Sequence, residues 1–244
     1  MLSLPLSVEQ ARDAVIIALD CSHEEALELA AQLEGRARWV KVGMTLYYAC
    51  GPAIVQEMHE RGLKVFLDLK LHDIPFQIRG AARAASLVGA DILSIHGLGG
   101  AEMVGEARLG TEEAAEIRGE RTKLVAISVL TSMNQEALAS IGVQSTVKEE
   151  VSRLATLAVG AGSDGIVCSP QEAAEMRELL GPDALIVTPG VRPVGATMGD
   201  QKRVATPAAA IAAGASKLVV GRPITKAEDP VAAFDAIVAE LTAN

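Results

Sequence analysis

The stretch FLDLKLHDIP, residues 66–75, opens as an apolar run of the kind that forms a buried strand, yet three charged side chains interrupt it. Asp68, Lys70 and Asp73 all fall within six positions of the chain. Burial of charge costs free energy unless the charges are paired with one another. We therefore expect the acid–base–acid set to lie together, with each carboxylate stabilising the ammonium group between them.

Seven other short apolar runs resemble the one that contains these charges, and helical segments such as 24–35 and 147–162 lie between them. The runs are nearly continuous rather than alternating, which is typical of parallel strands that helices cover. Eight such units predict an α/β fold, a (β/α)₈ TIM barrel forming a single domain over residues 1–244, with a doubly wound open sheet as the alternative. The predicted strands are 14–19, 39–43, 64–69, 91–96, 124–130, 164–169, 184–189 and 217–221.

The bulk composition excludes several classes of function. Half of the 244 residues are hydrophobic, and the net charge of −9 argues against nucleic acid as a partner. The three cysteines have no metal-ligand spacing, and the N-terminus has no secretory pattern, so we expect a reduced cytoplasmic compartment. No apolar run is long enough to span a bilayer, so no membrane partner is expected.

The charged set lies where a barrel places its active site. Side chains two apart on a strand share a face, so Asp68 and Lys70 should point the same way near the carboxyl end of their strand. Asp73 follows directly, ahead of a helix that we expect to begin near Pro75. Structural explanations remain open, since Asp68 and Lys70 also fit a structural ion pair and Asp73 also fits a helix cap.

Other polar residues are predicted at the same end of the barrel. Asp20 ends the first strand, Lys41 lies inside the second, and Thr131 and Ser132 follow the fifth. His96 ends the fourth strand, where a structural histidine is expected. Each of these residues also has an ordinary explanation, as a strand-end turn former or a lysine whose stem covers apolar surface.

An anion site is predicted after the last strand, in VVGRPIT, residues 219–225. The backbone at Gly221 and the guanidinium of Arg222 suit a phosphate, and loops after the last two barrel strands often hold one. The polar loop 191–207 has the length of a functional lid, and its Arg192 and Gln201 could reach the same phosphate.

A phosphate site beside an Asp–Lys–Asp cluster indicates a phosphorylated metabolite as the substrate. The cluster offers a proton donor flanked by negative charge and lacks a nucleophile–base–oxyanion arrangement. It suits a step that creates a carbanion and then protonates it.

These motifs together resemble the orotidine 5′-phosphate decarboxylase family over nearly the whole chain. The resemblance rests on IIALD (16–20), KVG (41–43), DLKLHDIP (68–75), LTSM (130–133), TPGVRP (188–193), GDQKR (199–203) and VVGRPIT (219–225).

That resemblance implies a barrel that forms a homodimer with shared active sites and converts orotidine 5′-monophosphate (OMP) into uridine 5′-monophosphate (UMP), without a metal or an organic cofactor. Lys70 would protonate C6 of the pyrimidine after CO₂ leaves. Asp68 would hold Lys70 near the substrate carboxylate, and Asp73 would reach into the partner subunit's site.

The resemblance also implies the residues that bind the substrate. Asp20 and Lys41 would bind the ribose, Thr131, or less favourably Ser132, would contact the base, and the phosphate would be held by Arg192, Gln201, Gly221 and Arg222. The family usually continues DIPNT, whereas this chain reads DIPFQ. Gln77 therefore stands where a Thr normally touches the neighbouring ribose, together with the backbone of Ile74, and Phe76 is interpreted as a packing residue.

The sequence is also compatible with two other functions. A related barrel lyase carries a similar Asp-x-Lys-x-x-Asp set and acts on a sugar phosphate with a divalent metal, although the TPGVRP and GDQ segments favour the decarboxylase. A barrel that binds a nucleotide without converting it is the other, and the intact Asp68, Lys70 and Asp73 argue against it.

Overall fold

Eight parallel strands close into a barrel in the computed structural model, which describes residues 2–193 and 205–243. Each strand pairs with the next along the chain, and the last pairs with the first. The predicted (β/α)₈ class is therefore confirmed, and the doubly wound alternative is wrong. The strands are β1 Val15–Ala18, β2 Trp39–Gly43, β3 Lys64–Leu71, β4 Ile92–His96, β5 Lys123–Ile127, β6 Gly165–Val167, β7 Leu185–Pro189 and β8 Lys217–Val220.

Helices cover the outside of this barrel. Capping boxes begin α2 and α8, because Ser22 with Glu25 and Thr146 with Glu149 satisfy each other's backbone N–H groups. The helices are α1 Val8–Ala14, α2 His23–Gln32, α3 Met44–Cys50, α4 Ala53–His59, α5 Pro75–Leu87, α6 Gly100–Arg118, α7 Gln135–Ser140, α8 Val147–Gly160, α9 Ala173–Leu180, α10 Pro207–Ala212, α11 Arg222–Thr225 and α12 Pro230–Thr242, with a 3₁₀ turn at Gly97–Gly99. In the described ranges no helix combines the length and apolarity needed to cross a membrane.

The apolar side chains of each strand point both outward, against the helices, and inward, into the barrel. The outward set forms the larger part of the core together with the helices. Burial on both faces explains why the strands read as continuous apolar runs in the sequence. The inward set is Ile16, Ala18, Trp39, Phe66, Ile92, Val125, Ile127, Val167, Val187 and Val219.

Charged side chains fasten the amino-terminal end of the barrel. The buried ammonium of Lys217, on β8, contacts the Asp13 carboxylate at 2.7 Å. Asp91 and Asp164 each accept a strand N–H, from Val65 at 2.7 Å and from Leu124 at 2.8 Å. These charged groups pair with one another or accept hydrogen bonds from backbone N–H groups. This end of the barrel therefore serves to stabilise the fold.

Helices α5 and α6 approach each other closely at one glycine. A Cβ atom added at Gly110 of α6 would overlap the carbonyl oxygen of Arg79 in α5. Gly105, one and a half turns earlier on the same helix, has no neighbour closer than 3.9 Å to such an atom. The two glycines therefore have different roles, since only Gly110 is needed for the contact between the helices.

We expect Gly110→Ala to lower the free energy of unfolding by about 1–3 kcal/mol, because the added methyl group forces the helices apart. Gly105→Ala is the matched control, and it should raise the same free energy by about 0.5–1 kcal/mol through a higher helix propensity. Urea denaturation of both variants measures this difference. Equal effects of the two substitutions would contradict the close approach at Gly110.

Candidate active site

Two adjoining cavities open at the carboxyl ends of the strands. They share Lys41, Pro189 and Val219, so they form one continuous cleft. The first is lined by Lys41, Phe66, Asp68, Lys70, Ile127, Val129, Leu130, Thr131, Val167, Pro189 and Val219. The second is lined by Ala18, Asp20, Lys41, Pro189, Gly190, Arg192, Val219, Gly221, Arg222, Thr225 and Lys226.

Four charged side chains of alternating sign run along this cleft. Lys70 Nζ lies 2.7 Å from Asp68 Oδ2, and Lys41 Nζ lies 3.5 Å from the same oxygen. Lys41 Nζ also lies 2.9 Å from Asp20 Oδ1. The structure thus brings together the charged residues predicted from strands β1, β2 and β3, and their formal charges sum to zero.

Asp68 is the buried centre of this group. Burial by itself would raise the pKa of the Asp68 carboxyl, but the nearby Lys41 and Lys70 ammonium groups and the hydrogen bonds from Lys70 and Ser94 outweigh burial and lower it. Asp68 is therefore a carboxylate at neutral pH, and it holds both lysines in place by charge.

The backbone of β3 departs from a regular strand at Lys70. This residue has a φ of 51°, and it is the only non-glycine residue with a positive φ in the parts of the chain that the structure describes. The pairing of β3 with β4 shifts there, from Leu67 opposite Leu93 to Leu71 opposite Ile95. Asp68 and Lys70 do lie together, as predicted from the sequence. The reason given, strict alternation along the strand, is wrong, because a β-bulge brings the Lys70 ammonium to the Asp68 carboxylate.

Asp73 does not complete an acid–base–acid set within its own chain. Its side chain is exposed, and no ion pair joins it to Lys70 within residues 2–193 and 205–243. Among the described residues its carboxylate accepts only the N–H of the next residue, Ile74, at 2.7 Å. The local pairing expected from the sequence is wrong, and so is the helix cap, because α5 begins after Ile74 without a side-chain cap.

The residues that follow Asp73 also point away from the barrel. Ile74 is 62% exposed and Phe76 is 80% exposed, and Gln77 is exposed as well. The interpretation of Phe76 as a packing residue is wrong within a single chain, because its ring covers no core. Two large apolar side chains therefore lie on the surface near the carboxyl end of β3.

Two guanidinium groups, those of Arg192 and Arg222, line the second cavity. Burial and the nearby positive charge of Arg222 both lower the pKa of Arg192. Among the described residues Arg192 has no carboxylate partner, and its Nη1 donates to the Val191 carbonyl at 2.9 Å. Two like charges that line one cavity attract an anion. Gln201 lies outside the described residues, as do positions 194–204 of the predicted lid.

Thr131 and Ser132, which the sequence left as alternatives, are now distinguished by position. Thr131 lines the first cavity between the apolar side chains of β5 and its loop, and Ser132 does not line it.

The sequence analysis missed three residues of the site. Ser94 donates a hydrogen bond to Asp68, and Lys226 lines the second cavity. Gly43 has no side chain that would crowd the Lys41–Asp20 ion pair. A Cβ atom at Gly43 would lie 3.1 Å from Lys41 Nζ and 3.2 Å from Asp20 Oδ1. The available signals were a lone hydroxyl in the apolar run 91–96 and a glycine two residues after a strand lysine.

The carboxylates of the site are poorly arranged for a divalent metal ion. Lys41 stands between Asp20 and Asp68, so its ammonium fills the place that a cation would take. Within the described ranges no group of three or more His, Cys, Asp or Glu side chains is arranged to hold a metal.

His96 lies at the end of β4 beside this group. Its ring packs against that of His72, with 5.3 Å between the ring centres, and its Nδ1 is buried without a hydrogen-bond partner in the described structure. Burial lowers the pKa of His96, and the neighbouring His72 and Lys70 lower it further. The sequence predicted a structural histidine with its hydrogen bonds satisfied at this position. The ring is partly buried, but the second part of the prediction is wrong, because Nδ1 has no partner among the described residues.

The chain is similar to known proteins over nearly its whole length. A family model described as "Orotidine 5′-phosphate decarboxylase / HUMPS family" matches residues 13–237. Orotidine 5′-phosphate decarboxylase of Halorhodospira halophila is 50% identical over 230 residues, covering 94% of this chain and 96% of the relative. The enzyme of that name from Moorella thermoacetica is 49% identical over 234 residues, covering 95% of this chain and 93% of its own.

A solved structure has the same fold. The crystal structure of orotidine 5′-phosphate decarboxylase from Lactobacillus acidophilus superposes with a TM-score of 0.85 at 37% identity. The match covers 95% of this chain and 100% of the other.

The environment of His96 predicts a pH dependence of stability. Because the folded state lowers its pKa below the ordinary value of about 6.5, the unfolded chain binds more protons than the folded one as the pH falls through that value. Stability is therefore lost on acidification. Replacing His96 with Asn should make the loss between pH 8 and pH 5 smaller, as measured by urea denaturation at both values. An unchanged loss would contradict the lowered pKa of His96 in the folded state.

Proposed function

The chain belongs to the orotidine 5′-phosphate decarboxylase family, and we propose that it converts OMP into UMP and CO₂ with Lys70 as the proton donor. This carboxy-lyase reaction of pyrimidine biosynthesis is the activity that gives the family its name. The observation that carries the residue assignment is the Lys70 ammonium, 2.7 Å from a buried carboxylate in a cleft at the carboxyl end of the barrel.

The proposed chemical step needs one proton and no other reactant. The bond between C6 and the carboxyl carbon breaks, CO₂ leaves, and the electron pair stays on C6. Lys70 Nζ then gives C6 a proton and becomes a neutral amine, which regains a proton from water. Before the transfer the same ammonium stabilises the negative charge that develops on C6.

The surroundings of Lys70 strengthen this effect. Phe66, Ile127, Val129 and Val167 line the same cavity, and all four side chains are apolar and buried. A charge interaction is stronger beside apolar surroundings of this kind than in water. The backbone strain at Lys70 supports the assignment too, because residues held in a left-handed conformation cluster at functional sites and cost about 1–3 kcal/mol.

Residues farther from Lys70 would bind the rest of the nucleotide. We assign the ribose hydroxyls to Asp20 and Lys41 and the base to Thr131, which lines the cavity that holds Lys70. The phosphate is assigned to Arg192, Gln201, Gly221 and Arg222, since two guanidinium groups line the second cavity. Binding energy from a remote phosphate can then contribute to the chemical step.

Asp73, Ile74 and Gln77 would act in the site of a second copy of the chain. They are exposed in one chain and lie directly after β3, so a partner packed on the carboxyl end of the barrel would receive them. The aromatic rings of Tyr48, at 72% exposure, and of Phe76 lie at the same end of the barrel, after β2 and β3. A homodimer with shared sites would cover this apolar surface.

We also propose that the enzyme works in the cytoplasm and needs no cofactor. The three cysteines are free, which is compatible with a reducing compartment. The position of Lys41 between Asp20 and Asp68 favours this cofactor-free reaction over the metal-dependent lyase.

Replacing Lys70 with Ala should lower kcat for CO₂ release from OMP by at least about 10³-fold, because both the proton donor and the charge opposite C6 are lost. The loss of absorbance of OMP on conversion to UMP measures the rate. Lys64→Ala is the matched control, since Lys64 is exposed at the opposite end of the same strand. Circular dichroism shows whether both variants are folded, and turnover by folded Lys70→Ala at the wild-type rate would refute the proton-donor role.

The same assay in EDTA separates the decarboxylase from a metal-dependent lyase. We expect full activity on OMP in the chelator. Loss of activity that added Mg²⁺ restores would favour the lyase, and tight UMP binding by calorimetry without any conversion of OMP would favour a binding protein.

Mixing two inactive variants tests the shared site. In a mixed dimer of Lys70→Ala and Asp73→Asn subunits, the site that keeps Lys70 receives an intact Asp73 from its partner. Random exchange at equal amounts makes half of the dimers mixed, each with one intact site of two, so about a quarter of wild-type activity should return. If both residues acted within one chain, no site in the mixture would be intact and no activity would return.

A further inference from the structure

Ser94 is fully buried on β4, and its hydroxyl faces the bulge of β3. Its Oγ lies 2.9 Å from the backbone nitrogen of Lys70 and 2.8 Å from Asp68 Oδ1. One hydroxyl group therefore contacts the chain on both sides of the charged pair, although it does not line either cavity of the cleft.

The chemistry of the three groups fixes the direction of both hydrogen bonds. The backbone N–H of Lys70 can only donate, and the Asp68 carboxylate can only accept. The Ser94 hydroxyl must therefore accept from Lys70 and donate its single proton to Asp68. Because Asp68 Oδ2 in turn accepts from Lys70 Nζ at 2.7 Å, the hydrogen bonds form a closed ring from the backbone of Lys70 to its own ammonium.

The bulge explains why a side chain is needed at this position. Leu67 pairs with Leu93 and Leu71 pairs with Ile95, so β3 advances by four residues while β4 advances by two. The regular register between the two strands is lost over this stretch. The N–H of Lys70 is thereby removed from the strand ladder and would be left without an acceptor. The Ser94 hydroxyl takes the place of that ladder partner and holds Lys70 in its left-handed conformation.

We propose that Ser94 is the positioning residue of the decarboxylation, fixing both the backbone of Lys70 and the carboxylate that anchors its ammonium. This inference rests on the proposed function of Lys70 as the proton donor. Without the hydroxyl, Asp68 Oδ1 loses its hydrogen bond and the carboxylate turns more freely. The ammonium then spends less time at the distance from C6 that proton transfer requires.

The effect belongs to the chemical step and not to substrate binding. Asp20, Arg192 and Arg222 line the second cavity, whereas Ser94 contacts only the Asp68–Lys70 pair among the groups of the site. We therefore expect Ser94→Ala to lower kcat by about 10- to 100-fold, the loss expected for one buried hydrogen bond to a charged group. KM for OMP and the Kd of UMP should stay within about twofold of the wild-type values.

Three substitutions separate positioning from simple stability. Ser94→Ala removes the hydroxyl, and Ser94→Thr keeps it while adding a methyl group in a fully buried place. Ser128→Ala is the matched control, because Ser128 is also buried, follows the neighbouring strand, and donates to the Val167 carbonyl at 3.0 Å rather than to a charged group. Steady-state kinetics on OMP, UMP calorimetry and thermal melting are measured for each.

The expected order of kcat is wild type, then Ser94→Thr, then Ser94→Ala, with Ser128→Ala close to wild type. The proposal is overturned if Ser94→Ala keeps the wild-type kcat, if kcat follows the melting temperature rather than the hydroxyl, or if UMP binding weakens as much as kcat falls. Should Ser94→Ala fail to fold, Ser94→Cys replaces it, since a thiol has similar size and only weak hydrogen bonding. Wild-type protein that releases no CO₂ from OMP overturns the proposed function instead, so the two failures are distinguishable.

Discussion

A carboxylate buried at the carboxyl end of the barrel sets the conditions for everything around it. Asp68 could not remain charged there without compensation, because removal of its water costs several kcal/mol. Two ammonium groups and one hydroxyl provide that compensation, from β2, from β3 itself and from β4. The same compensation holds a lysine in a strained backbone conformation, where its proton is directed into an apolar cavity. Structure and proposed chemistry thus depend on a single electrostatic requirement.

The barrel itself was predictable because the pattern that encodes it is local. Strands with both faces buried must be apolar throughout, so β2 agrees with its predicted bounds and β7 and β8 differ from theirs by one residue at one end. Glycine stops and capping residues mark the helices between them. Asp20 and Lys41 were singled out as polar residues in or after apolar strands, but it was the family resemblance that assigned them to the site.

What the sequence could not reveal depends on geometry between strands. Simple alternation gives the face of Lys70 only for a regular strand, and nothing in the letters of residues 66–75 announces a bulge. Ser94 lies 24 residues from Lys70, and its hydroxyl acquires a partner only through the shifted register. The prediction for Asp73 was wrong for a different reason. Its proximity in sequence suggested an ion pair with Lys70, but the chain turns outward before α5 and leaves the Asp73 side chain exposed. We propose instead that this carboxylate acts in the site of a neighbouring copy of the chain.

The charged fastening of the amino-terminal end of the barrel has a consequence for how this chain can change. Lys217 with Asp13, and the carboxylates of Asp91 and Asp164, anchor the strands from below and take no part in the cleft. These contacts at the amino-terminal end therefore stabilise the barrel without contributing to the cleft at its opposite end. In a library of random substitutions, changes at the amino-terminal end of the barrel should mainly reduce the yield of folded protein. Changes at the carboxyl end should more often leave folded protein without activity. Such a division makes the upper loops a practical place to graft new chemistry onto the scaffold.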